Sequence, residues 1–102
     1  MADYIYFVQM DIPEEHEAEF NRVYDEEHIP AILKVKGAHS CRRYKLEKTN
    51  KDGMARYAAI YEVDSPDIPE CPEWQEAAAV GVWIEKIRPH TKNRSHTIFK
   101  QI

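Results

Sequence analysis

The chain has 102 residues, 43% of them hydrophobic and 31% charged, a make-up that argues against disorder and for one folded domain over residues 1–102. With 14 basic and 18 acidic residues the formal net charge is −4, so no nucleic-acid partner is expected, since that needs a dominant basic surface. The longest mostly apolar run, residues 77–84, falls far short of the roughly 20 that span a membrane.

The opening MADYIYFVQMD has neither a basic leader nor a cleavage site, so no secretory signal is expected. Two cysteines, Cys41 and Cys71, are too few for a disulfide framework and suit a reduced cytoplasmic protein.

Residues 4–10, YIYFVQM, are β-branched and aromatic and read as a strand. They are apolar at consecutive positions, as in a strand covered on both faces. Pro13 then opens a helix, with Glu14, Glu15 and Glu17 in the first turn, where the macrodipole favours acids. Phe20, Val23, Tyr24 and Glu27 follow the spacing of one helical face. Pro30 disfavours helical geometry at Ile29 and has no N–H for the carbonyl of Glu26, so the helix is expected to end at His28. A short apolar turn follows, stopped by Gly37.

AHSCRRYKLEK reads as a second strand, TNKDG as a hairpin loop, and MARYAAIYEV as a third strand. SPDIPECPEW holds three prolines and reads as irregular or as a broken helix. Residues 73–87 are expected to form one helix, ended by Arg88 and Pro89, and RSHTIFKQI closes the chain as a fourth strand.

The order β-α-β-β-α-β, with right-handed crossovers, predicts an α+β fold: a ferredoxin-like antiparallel sheet with two helices on one face. Tyr4, Tyr6, Val8 and Met10 alternate with Ile5 and Phe7, and Tyr57, Ala59 and Tyr61 with Ala58 and Ile60, so whichever face is left uncovered is too apolar to meet water. A symmetric homodimer that packs sheet against sheet is the economical cover.

Residues 24–44, YDEEHIPAILKVKGAHSCRRY, resemble the dimeric α+β-barrel superfamily, and within it the small proteins grouped with the ethyl tert-butyl ether degradation protein (EthD-like). The His-x-Pro of that family falls on His28 and Pro30, and its strand-opening glycine on Gly37. The family more often has proline before that glycine, where this chain has Lys36. The resemblance implies a homodimeric barrel with a cleft in each subunit between sheet and helices. Its relatives include polyketide cyclases, cofactor-free monooxygenases, isomerases and haem-handling proteins, so the fold leaves the chemistry open.

His28 beside Glu26 and Glu27 at a helix end has its charged form favoured, and such a group can donate or shuttle a proton. The alternative is a histidine that only satisfies the last carbonyls. Tyr24, one turn earlier, either orients that imidazole or is a half-buried core residue. Arg42 and Arg43 point to opposite sheet faces. Arg43, as the inward one, can hold a carboxylate or phenolate, or else make an interfacial ion pair.

Among the aromatics, Tyr6, Tyr61 and Trp83 are candidates to line a pocket for a flat apolar molecule, the alternative for each being core or dimer interface. His16, His39, His90 and His96 have no metal-ligand spacing, and neither a glycine-rich phosphate loop nor a Gly-x-Ser-x-Gly elbow is present, so no metal and no cofactor are expected. His90 is expected to be solvated, and His96, in the last strand, could face the barrel.

The expectation is a small barrel that binds a hydrophobic or aromatic carbonyl metabolite and carries out cofactor-free proton transfer at His28. A non-catalytic binding or accessory protein and a purely structural barrel are the alternatives.

Overall fold

Four strands form one antiparallel sheet in the order β2-β3-β1-β4: β1 is Tyr4–Asp11, β2 Ala38–Lys45, β3 Tyr57–Val63 and β4 Lys92–Lys100. The computed structural model describes residues 3–102, so the part of the leader reading that concerns Met1 and Ala2 lies outside the described residues. Strand order and direction are those of the ferredoxin-like α+β fold read from the sequence.

β1 lies between β3 and β4, with Tyr6 opposite Tyr61 on one side and Ile98 on the other. The period of two sends Val8, Met10, Tyr57, Ala59, Tyr61 and Val63 toward the helices, where all are buried. Phe20, Val23, Tyr24, Ile32 and Ile87 close the core from the helical side. The open face carries Ile5, Phe7, Ala58 and Ile60, with Tyr44 and Phe99 at 50% and 51% exposure.

The first helical stretch differs from expectation at Pro30. Pro13 is extended and precedes the helix. A 3-10 turn (Glu14–His16) leads into α1 (Glu17–Val23), then a π-helical turn (Tyr24–His28), then α2 (Ile29–Ile32). Ile29 is helical and its N–H reaches back five residues to the carbonyl of Tyr24. A proline ring inside an α-helix collides with the carbonyl four residues earlier. The wider π turn gives that ring room, so the chain passes through Pro30 without stopping. His28 therefore sits inside a continuous helical run. Gly37, at φ +93°, is the stop; a Cβ there would meet Ile68 at 2.6 Å.

The second stretch differs as well. After a 3-10 turn (Ile68–Glu70), α3 covers only Pro72–Ala78. Gly81, at φ +74°, turns the chain, and a π-helical turn (Trp83–Ile87) and a 3-10 turn (Arg88–His90) follow. The expected single helix over 73–87 is thus broken. Left-handed backbone at Gly81 and a tertiary hydrogen bond from Val82 N–H to Glu27 Oε1 (3.0 Å) favour the break over helix propensity. Among the described residues no helix is long and apolar enough to cross a membrane.

Candidate functional site

Between the sheet and the two helical stretches lies a cavity of about 280 Å³. β1 supplies Tyr6, Val8 and Met10 to its wall, β3 supplies Tyr61, and the first helical stretch supplies Tyr24, His28 and Ile32. The second stretch adds Trp74, Trp83 and Arg88, and β4 adds Arg94 and His96.

His28 is 6% exposed, and its Nδ1 is fully buried with no hydrogen-bond partner. Trp83 covers one face of its ring, with centroids 4.5 Å apart, and Tyr24 meets it edge-on at 4.9 Å. Burial penalises the imidazolium and brings the pKa down to about 4. This reverses the expectation from helix end and acidic neighbours. The helix does not end here, Glu26 projects into solvent, and Glu27 is turned to the Val82 amide and to Arg22. At neutral pH His28 is an uncharged base and hydrogen-bonding group, not a stored proton.

Tyr24 does not hydrogen-bond the imidazole. Its hydroxyl pairs with that of Tyr61 at 3.1 Å. Burial holds both phenols well above the usual tyrosine range, so both stay protonated. Trp74 packs edge-on against both Tyr6 (5.5 Å) and Tyr61 (5.2 Å), and His96 stacks on Tyr6 at 6.0 Å. The sequence candidates His28, Tyr24, Tyr6, Tyr61 and Trp83 thus line the same cavity.

Arg43 does not line this cavity. It points to the helix side of β2, but its guanidinium is strapped by Asp25 (3.0 Å) and Asn21 Oδ1 (2.7 Å) and lies over the Tyr24 ring at 4.6 Å. A strand position fixes a face but not which helical residue waits there, so the sequence could not distinguish a ligand arginine from a structural one. Cys41, on the same face, has its thiol pushed up to about 12 by burial and is unreactive.

Two lining residues, Arg88 and Arg94, are not singled out by the sequence reading. Arg88 looks like a helix-end cation. Arg94 has a readable signal: it is two residues from His96, so both take the same sheet face. A bulge lies beside it. Gln9 pairs with Ser95 and Asp11 with Lys92, so Asn93 and Arg94 together oppose Met10, and Asn93 takes φ +53°. His90 is exposed as expected and stacks on His16 at 3.8 Å. Among the described residues no three His, Cys, Asp or Glu side chains converge as a metal site.

A βαββαβ sheet with a cleft under its helices is the ferredoxin-like α+β fold. Sequence comparison gives the family: residues 3–101 match the model described as a domain of unknown function, DUF4286, and the chain belongs to that family. No curated protein matches it in sequence.

Solved structures share the fold. The heme-degrader MhuD of Mycobacterium tuberculosis, with two hemes bound in its active site, has a TM-score of 0.67 at 13% identity, covering 97% of this chain and 95% of that one. An ethyl tert-butyl ether degradation (EthD) family protein from Bacillus halodurans has a TM-score of 0.62 at 10% identity, covering 97% and 99%. SnoaB, a cofactor-independent oxygenase from Streptomyces nogalater, solved as a mutant, has a TM-score of 0.61 at 20% identity, covering 97% and 93%. The EthD-like resemblance therefore holds as a likeness of fold. Chemistry must be argued from the site.

Proposed function

We propose that this protein is a homodimeric barrel that binds a small hydrophobic or aromatic carbonyl metabolite in the sheet–helix cavity. His28 acts there as the base of a cofactor-free proton transfer, such as an enolisation, cyclisation or isomerisation. The observation that carries this reading is a buried histidine with a partnerless nitrogen in the wall of an aromatic cavity. Natural proteins rarely leave a buried polar atom unsatisfied, and a ligand contact is one reason to do so. Solved relatives described as dimers support the homodimer, as does the apolar open face of the sheet.

A second reading rests on the same histidine. A pKa of about 4 makes His28 a weak base at neutral pH, which favours a binding or accessory protein without turnover. The test separates the two. Aromatic ketones such as 2-tetralone, and phenols, are titrated calorimetrically into wild type and His28→Ala. Exchange of the ketone α-proton in deuterium oxide is followed by NMR. Exchange that needs His28 supports the enzyme. Binding without catalysed exchange supports the accessory protein. No binding by any probe rejects both. A monomer at micromolar concentration in sedimentation equilibrium rejects the homodimer.

A further inference from the structure

The cavity is divided by charge as well as by depth. Its inner wall is aromatic and buried: Tyr24, Tyr61, Trp74 and Trp83 are at most 6% exposed. Its rim is exposed and basic, made by Arg88 at the end of the second helical stretch and Arg94 on β4, with His96 beside them. Among the described residues no aspartate or glutamate lines the cavity, although the chain carries net charge −4.

The arginines elsewhere on the helical side have other work. Arg22, Arg43 and Arg56 each pair with a carboxylate. Among the described residues Arg88 and Arg94 have no carboxylate within ion-pair distance; Arg42, on the open sheet face, is in the same condition. The two guanidiniums act on the same point: both disfavour a proton on His96, after the larger effect of its burial. Two unpaired like charges at one mouth repel each other and gain from an anion placed between them.

Resting on the reading of this cavity as a ligand site, we infer that its ligand is an amphiphilic anion, a planar apolar body carrying a carboxylate, with Arg88 and Arg94 holding the carboxylate at the rim while the ring enters among the aromatics. A cavity of about 280 Å³ lies at the small end of ligand sites, which run from about 300 Å³ upward. That size suits one or two fused rings. The orientation follows from burial: the charge stays where water still reaches it, and the apolar body goes where water does not.

The experiment compares 2-naphthoate with 2-naphthamide, its uncharged counterpart of nearly the same shape, by calorimetry at neutral pH. Proteins are wild type and Arg88→Gln/Arg94→Gln, whose changes lie on the exposed rim. Circular dichroism verifies the fold of each. Wild type is expected to bind the acid about tenfold or more tightly than the amide. The double variant loses that preference and keeps its amide affinity. Added salt weakens only the acid. Equal binding of acid and amide by wild type, or a preference that survives the double variant, overturns the anion inference and leaves the ligand cavity standing. Binding of neither probe, together with none of the ketones and phenols, overturns both.

Discussion

The indole of Trp83 lies against the imidazole of His28, 4.5 Å between centroids and 31° between planes. This contact joins the two helical stretches across the cavity. It packs the histidine ring, yet leaves Nδ1 without a partner. The two effects oppose each other, and their sizes decide the sign. A buried unsatisfied polar group costs about 1–3 kcal/mol, and an aromatic pair returns about 0.5–1.5 kcal/mol.

Replacing His28 by leucine, which fills similar volume without a polar atom, should therefore stabilise the fold by about 1 kcal/mol at pH 7. For a domain of this size that raises the melting temperature by roughly 4–8 °C. The same variant should lose any His28-dependent binding or exchange, which is the usual cost of removing a residue kept for function. A lower melting temperature would mean that the ring is retained for packing.

The pH dependence of stability has a definite sign. The pKa of His28 falls from 6.5 to about 4 on folding, so the unfolded chain binds more protons between those values. Stability at His28 is then intact above pH 6.5 and is lost as pH falls through 4, by about 3 kcal/mol in all. Urea unfolding of wild type and His28→Leu at pH 7.5, 5.5 and 4.5 isolates this contribution. His96 and the carboxylates titrate in both proteins and cancel. The gap between the two stabilities should widen toward acid; a constant gap would show that His28 titrates normally.

The sheet was legible in the sequence because YIYFVQM and MARYAAIYEV are apolar, β-branched and aromatic runs of strand length, and the element order does the rest. The helices were legible in place but not in detail. Pro30 is a stop by local rules, yet the π turn over Tyr24–His28 absorbs it. Residues 73–87 look uniformly helical, yet Gly81 adopts positive φ because Glu27, distant in sequence, bonds the Val82 amide. The site was half legible for the same reason. Aromatics on the strands and helices could be named, but which sheet face lines the cavity could not, and the rim formed by Arg88 and Arg94 depends on a bulge and on where two elements meet.

Glu27 should accordingly act as a positioning residue for Trp83. Its Oε1 accepts the Val82 N–H, and a Cβ on Gly81 would collide with that same oxygen. Glu27→Ala leaves the amide unpaired and should cost about 1–2 kcal/mol. Glu27→Gln keeps an acceptor and should recover most of that loss. Gly81→Ala combines the collision with left-handed strain and should be at least as damaging as Glu27→Ala. Chemical denaturation followed by tryptophan fluorescence checks all three. Equal stability of Glu27→Ala and wild type would show the bond to be dispensable.

The Tyr24–Tyr61 hydroxyl pair predicts a non-additive cycle. Tyr24→Phe leaves the buried Tyr61 hydroxyl without its partner, and Tyr61→Phe does the converse. Each single change should cost about 1–2 kcal/mol. The double Tyr24→Phe/Tyr61→Phe leaves nothing unpaired and should cost less than the sum of the singles. Additive losses in urea titrations would place each hydroxyl's role outside the pair.

Arg43 gives the clearest division between holding the fold and holding a ligand. Its two hydrogen bonds, to Asp25 and Asn21, tie β2 to the first helical stretch, and its guanidinium lies 4.6 Å from the Tyr24 ring centroid. Asp25 is exposed, so the ion pair itself contributes little. The half-buried stem, the neutral hydrogen bond and the cation–π contact together should be worth about 1–2 kcal/mol. Arg43→Ala should lose that amount in denaturant unfolding. Naphthoate and naphthamide affinities, measured well below the variant's melting temperature, should match wild type, because the side chain does not line the cavity walled by His28 and Trp83. Arg43→Lys should recover little, since a single ammonium cannot reproduce the fork across Asp25 and Asn21. A selective loss of naphthoate binding in Arg43→Ala, with stability unchanged, would return Arg43 to the ligand site and move the carboxylate away from the rim.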